Sequence, residues 1–199
     1  CYRGVTYPSF NVAGDMIYVQ TRTLDPGAPC KFLNPAAAHG TLPALSYPRG
    51  AHTATGPMLV TEGVPDGLVA IAAGYRVAAL SSASVATPAV AAQLALRAGE
   101  QGVILALDND EAGRKATDAL KGKLEAAGLS VGAVAFPAGI KDANELLVSR
   151  NGDASRVFRQ LLEAATPAPP PSSPEPTPTT SPLREKGEPA ANALQLTRD

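Results

Sequence analysis

Tryptophan is absent, and 199 residues contain only two cysteines, two histidines and two methionines. Cys1 and Cys30 supply neither a disulfide framework nor the spacing of a metal knuckle. Adding His39 and His52 still gives no recognised zinc pattern. No apolar run is long enough to span a bilayer and no signal-peptide pattern is present, so no membrane is expected and a cytoplasmic protein is the default. Net charge is lacking too, with 17 Lys plus Arg against 18 Asp plus Glu. The segment from Thr166 holds three of the basic and four of the acidic residues, which leaves 14 of each in the rest of the chain. Bulk electrostatics therefore do not mark a nucleic-acid binder, and any such surface must come from basic residues clustered in space. Also missing are a G-x-x-x-x-G-K-S/T loop, a G-x-G-x-x-G fingerprint and a G-x-S-x-G elbow. Their absence removes P-loop NTPases and gives no sign of a dinucleotide fold or a serine hydrolase.

Proline, by contrast, is abundant at 19 residues, and many fall in "TPAPPPSSPEPTPTTSP" from Thr166 to Pro182. Such a run cannot bury enough surface to offset its ordering entropy, so residues 166–199 are expected to form a disordered, polyproline-like linker or tail. About 165 residues remain, suited to one domain with a small appendage. Residues 1–56 read as a β-rich segment plus connection: a Gly14-Asp15 turn, alternation at Ile17, Val19, Thr21 and Thr23, then an irregular Pro/Gly/Ala stretch around "CKFLNP". The chain opens on Cys1 in mid-pattern, as a fragment of something longer would.

From Met58 the pattern changes. "MLVT", "RVAAL", "GVILAL" and "SVGAVAF" are short apolar strands. Between them lie helices: one closed by Gly74, one capped by Thr87 with Pro88 at its first position, and a long amphipathic one in "DEAGRKATDALKGKLEAAG". Two more follow, from "DANELLVSRNG" and from about Ala154 to Ala165. Strands apolar on both faces and alternating with helices predict residues 57–165 to be an α/β domain. Its centre is a mostly parallel four-stranded sheet flanked by helices. In such sheets ligands gather at the carboxyl ends of the strands.

Carboxylates stand at those ends. Glu62 follows the first strand, Asp66 opens the next helix, Asp108 and Asp110 follow the third strand, and Asp142 lies beyond the fourth. Like charges this close raise each other's pKa and destabilise the fold without a cation, and an all-oxygen set suits Mg²⁺ or Mn²⁺. Simpler roles stay open. Asp110 suits a helix cap as well as a ligand, and Glu62 suits a turn. A phosphoacceptor site would want a lysine at a later strand end, for which Lys141 is the only candidate.

"LVTEGVPDGL", "VILALDNDEAGRKA" and "FPAGIKDANELL" together resemble the Toprim domain, most closely that of DnaG-type bacterial, phage and plasmid primases. The resemblance covers about Pro57 to Gly152 and extends upstream through "GDMIYVQTRTL" and "KFLNP". It implies a Rossmann-like Toprim fold, with Glu62, Asp108 and Asp110 as catalytic metal-binding acids and Asp66 and Asp142 as accessory metal ligands. Arg22 and Lys31 fall on positions facing nucleotide or template phosphates, and Arg49 is a weaker basic candidate. Arg114 and Lys115 read first as solvated helix charges.

The implied activity is that of a DNA primase-type nucleotidyltransferase, making RNA primers from ribonucleoside triphosphates on single-stranded DNA. A replicative helicase could be engaged through the tail. Departures from the family pattern are Asn144, where a second acid is usual, and "LSSASVATP", which lacks a Gly-Thr pair. Rival readings are a Toprim nuclease or topoisomerase, a non-catalytic DNA-binding Toprim protein, and an unrelated Rossmann-like domain.

Overall fold

A computed structural model describes residues 3–50, 54–149 and 153–167. The proposed tail beyond Pro167, with any helicase link through it, lies outside the described residues, as do Cys1 and His52. Two sheets are present. The smaller is antiparallel, with β1 (Gly4–Phe10), β2 (Met16–Thr23) and β3 (Phe32–Leu33) in that spatial order. Asn11 shapes the β1–β2 turn, its side-chain oxygen accepting the N–H groups of Ala13 and Asp15. The burial along β2 does not alternate: beyond Tyr18, residues 19–23 are all half-buried. Tyr18 is buried, whereas Ile17 is exposed.

The larger sheet has five strands in the order β4-β6-β5-β7-β8. Four are the expected parallel set: β5 (Met58–Thr61), β6 (Arg76–Leu80), β7 (Val103–Ala106) and β8 (Val131–Ala133). The fifth, β4 (Leu45–Ser46), comes from the stretch read as irregular and pairs antiparallel with β6. Two residues carry no periodicity, so nothing local announces such a strand. β5 and β7 are buried along their whole length, as continuous apolar runs require when helices cover both faces.

The chain steps from β5 to β6 on one side, then returns past β5 to β7 and β8 on the other. Crossovers of one hand in opposite directions put their helices on opposite faces. Accordingly α1 (Val64–Ala72) packs with α4 (Ala143–Ser149), which packs with α5 (Ala154–Ala165), while α2 (Pro88–Ala98) packs with α3 (Glu111–Ala126). The core between these layers includes Leu59, Val60, Leu94, Ile104, Leu105, Leu120, Leu124, Leu146, Phe158 and Leu162. The predicted boundaries hold where caps were named. Thr87 Oγ1 accepts the Val90 N–H, and Gly74, at φ +90°, follows the last turn of α1. No helix among the described residues is long and apolar enough to cross a membrane.

Candidate metal and nucleotide site

The reversal of chain direction at β5 opens a crevice where the carboxyl ends of β5, β6 and β7 meet, the usual ligand position in open α/β sheets. Thr61 ends β5, and its hydroxyl donates to the Gly63 carbonyl, turning the chain sharply past Glu62. Glu62 is pushed up from the ordinary carboxylate range, first by burial and then by the Asp108 charge, with backbone N–H groups of Asp108 and Ala83 opposing the shift. Its Oε2 is buried and has no hydrogen-bond partner.

Asp66 lies in the first turn of α1 and is 9% exposed. Burial, then the charge of Asp142, pushes its carboxyl up to about 6, while the Asn144 N–H, 3.1 Å from Oδ1, acts in the opposite sense. One carboxylate oxygen from each of Asp66, Asp108 and Asp142 lies within 4.8 Å of the other two. These three are among the five acids expected at a metal site, and they are the ones whose oxygens converge among the described residues. Glu62 stands beside them, lining the same cleft.

Asp110 does two things at once. Its Oδ1 accepts the Gly113 N–H at 2.9 Å and caps α3, and its Oδ2 lies 3.3 Å from Lys141 Nζ. The cap first, and then Lys141, hold its pKa below the usual value. Lys141 Nζ also reaches Asp108 Oδ2 at 2.8 Å, and the two acids raise the lysine's pKa. The sequence motifs hinted at Lys141 only through a phosphoacceptor alternative.

Asn109 lies between the two aspartates. Its N–H donates to the Lys141 carbonyl at 2.6 Å and its amide to the Ile140 carbonyl at 3.2 Å, stitching the 137–141 turn to the end of β7. Arg114 reaches back to the Asn109 carbonyl at 2.8 Å, while Lys115 pairs with Glu111 on the exposed face of α3. Gly113 makes this geometry possible. A Cβ there would collide with the Asp108 carbonyl, so α3 can approach the strand end only with glycine at that turn.

The small sheet closes the other side. Arg22 on β2 and Lys31 before β3 line a cleft of about 250 Å³ together with Glu62, Asp66, Asp108 and Asp142. Ser81 and Ser82, at the carboxyl end of β6, complete its rim. All-oxygen donors, raised pKa values at Glu62 and Asp66 and an unpartnered buried carboxylate oxygen fit a hard divalent cation. The Lys141 ammonium already holds positive charge against two of these acids.

Comparison with known proteins agrees with this architecture. Residues 59–147 match a family model described as Toprim-like. A structure of the bacteriophage T7 lagging-strand DNA polymerase interacting with primase domains, bound to an RNA/DNA hybrid and dTTP, contains a similar chain. That likeness has a TM-score of 0.62 at 24% identity and covers 84% of this chain and 80% of the other. The DnaG primase catalytic domain bound to single-stranded DNA gives 0.59 at 26% identity, over 82% of this chain and 52% of that one. The Aquifex aeolicus primase, with zinc-binding and RNA polymerase domains, gives 0.62 at 21% identity, over 82% and 40%. The chain thus spans about half the length, or less, of these two primase structures. No curated protein sequence matches it significantly.

Proposed function

We propose that the cleft of this Toprim-like domain, similar to DnaG primase catalytic domains, performs primase-type nucleotidyl transfer, joining ribonucleoside triphosphates on single-stranded DNA during replication. One observation carries the reading: acidic strand ends and two basic residues from a separate sheet line a single cleft. Phosphoryl chemistry needs both, carboxylates to hold divalent cations and fixed cations to hold phosphates.

Asp66, Asp108 and Asp142 would supply the converging ligand oxygens, with Glu62 and Asp110 completing the acidic set. The bound ion, Mg²⁺ or Mn²⁺, would offset phosphate charge and favour the attacking 3′-hydroxyl as its alkoxide. Arg22 and Lys31 would anchor triphosphate or template backbone by charge-assisted hydrogen bonds. Lys141 balances the charges of Asp108 and Asp110, a task a bound ion would share. Asn109 keeps Lys141 and Asp142 in register with the end of β7.

De novo primer synthesis on single-stranded DNA with Mg²⁺ or Mn²⁺ tests the proposal. RNA products that disappear in Asp108→Ala and Glu62→Ala are expected. Cleavage of the template without synthesis would instead assign the acids to a nuclease. Metal-independent DNA binding that survives both substitutions, with neither activity, would overturn enzymatic function altogether.

A further inference from the structure

The small sheet that bears Arg22 and Lys31 meets the larger unit differently at its two ends. At the cleft end, open spaces of about 250 and 110 Å³ lie between them. At the β1–β2 turn, hydrogen bonds cross. The Tyr47 N–H, one residue beyond β4, donates to the Phe10 carbonyl at 3.1 Å. Arg97, in the last turn of α2, donates from Nη2 to the Val12 carbonyl at 3.3 Å, across 85 positions of chain. Its guanidinium also lies 5.3 Å from the centre of the buried Tyr47 ring, within cation–π range. Arg76, at the start of β6, steadies this mount by donating to the Ala98 carbonyl at 3.1 Å. The dipole of α2 favours any basic residue in its last turn, but it does not ask for one that spans to another sheet.

β2 carries that grip to the cleft. It begins at Met16 beside the turn, and Arg22 stands six residues further along, ~20 Å away at the rise of an extended strand. Lys31 directly precedes β3, whose Phe32 pairs with Arg22. Over a lever of ~20 Å, a rotation of ~3° at the turn displaces Arg22 by ~1 Å, and misplacements of that size impair chemistry even from far away. We propose that Arg97 is a positioning residue: by gripping the β1–β2 turn it sets how Arg22 and Lys31 stand over the acids. Arg97 itself is outside the set of residues lining the cleft, so it acts through those two. The inference rests on the reading of Arg22 and Lys31 as phosphate ligands and adds the residue that aims them.

Calorimetric titration of the full chain with Mg²⁺ and inorganic tripolyphosphate, in salt high enough to screen remote charges, tests this. Arg97→Gln should weaken tripolyphosphate binding roughly 3- to 10-fold, the upper figure being the loss of one hydrogen bond to a charged group. Arg97→Lys, which keeps a cation for the carbonyl and the ring, should recover most of that loss. The Mg²⁺-induced rise in Tm should be the same in all three proteins, because the acids belong to the larger unit. In an Arg22→Ala/Lys31→Ala background, Arg97→Gln should have no further effect, the non-additivity expected when one residue acts through others. Parental tripolyphosphate affinity in Arg97→Gln would overturn the inference and leave the triphosphate reading standing. So would a joint loss of affinity and Mg²⁺ response, which means general damage, or an undiminished effect in the Arg22→Ala/Lys31→Ala background, which means a remote charge effect. An unmodified chain that binds no tripolyphosphate would refute the phosphate reading of the cleft and this inference with it.

Discussion

Asp66→Asn puts the electrostatics of the site to a direct thermodynamic test. The Asp66 carboxyl sits at about 6 instead of 3.8, chiefly because burial penalises its charge and next because Asp142 faces it. A raised acid pKa means that the folded protein holds this proton more tightly than the unfolded chain. The associated stability is fully present below the unfolded value and is lost as pH rises through about 6. A shift of about two units corresponds to at most ~3 kcal/mol of penalty at neutral and alkaline pH. Asparagine removes the charge and keeps an oxygen for the Asn144 N–H, now 3.1 Å away. Without metal at pH 8, the variant should melt above the unmodified chain by up to ~6–12 °C, taking ~2–4 °C per kcal/mol. The gap should close towards pH 4, where Asp66 is protonated in the folded chain. Adding Mg²⁺ at pH 8 should raise the unmodified chain's Tm by mass action and the variant's by less. Far-UV circular dichroism melts between pH 4 and 8, with chelator or Mg²⁺, read all of this. A variant less stable than the parent at pH 8 in chelator would refute the argument, because the carboxylate would then be stabilising where it stands.

Three further outcomes follow from the same geometry. Gly113→Ala places a Cβ against the Asp108 carbonyl; it should cost ~1–3 kcal/mol as overpacking and reduce the Mg²⁺-induced rise in Tm. Lys141→Gln takes the ammonium from between Asp108 and Asp110. A lysine pKa raised by these acids stabilises the fold throughout the neutral range, so the metal-free variant should melt lower at pH 7 while gaining more than the parent from Mg²⁺. Asn109→Ala frees the Ile140 carbonyl, and a loss of ~0.5–1.5 kcal/mol is expected for that bond. Hydrogen exchange should report faster opening of the turn at 137–141, with little change in β6.

Much of the fold could be read along the chain because it depends on neighbours a few residues apart. Apolar runs specified β5 to β8, and Thr87 and Gly74 marked helix ends through local hydrogen bonding and positive φ. The small sheet was visible as alternation, but not which side would be covered. Tyr18 is buried while Ile17 is exposed, and Gln20 and Arg22 line the spaces beside the larger sheet. The Asp110 alternatives, cap or site residue, were inseparable by motif. The structure has Asp110 capping α3 while facing Lys141.

By itself, then, the sequence determined the order of strands and helices, the acids that terminate them, and the likeness to Toprim primases, since periodicity, caps and motif spacing are short-range properties. Tertiary structure alone decided which of those acids meet. Asp66 reaches the Asn144 N–H across 78 positions of chain, and Lys141 enters between two aspartates of a different strand end. Arg22 and Lys31 face the carboxylates because a separate sheet docks over the crevice. Such meetings depend on strand order and on how layers pack, which no local stretch of residues encodes.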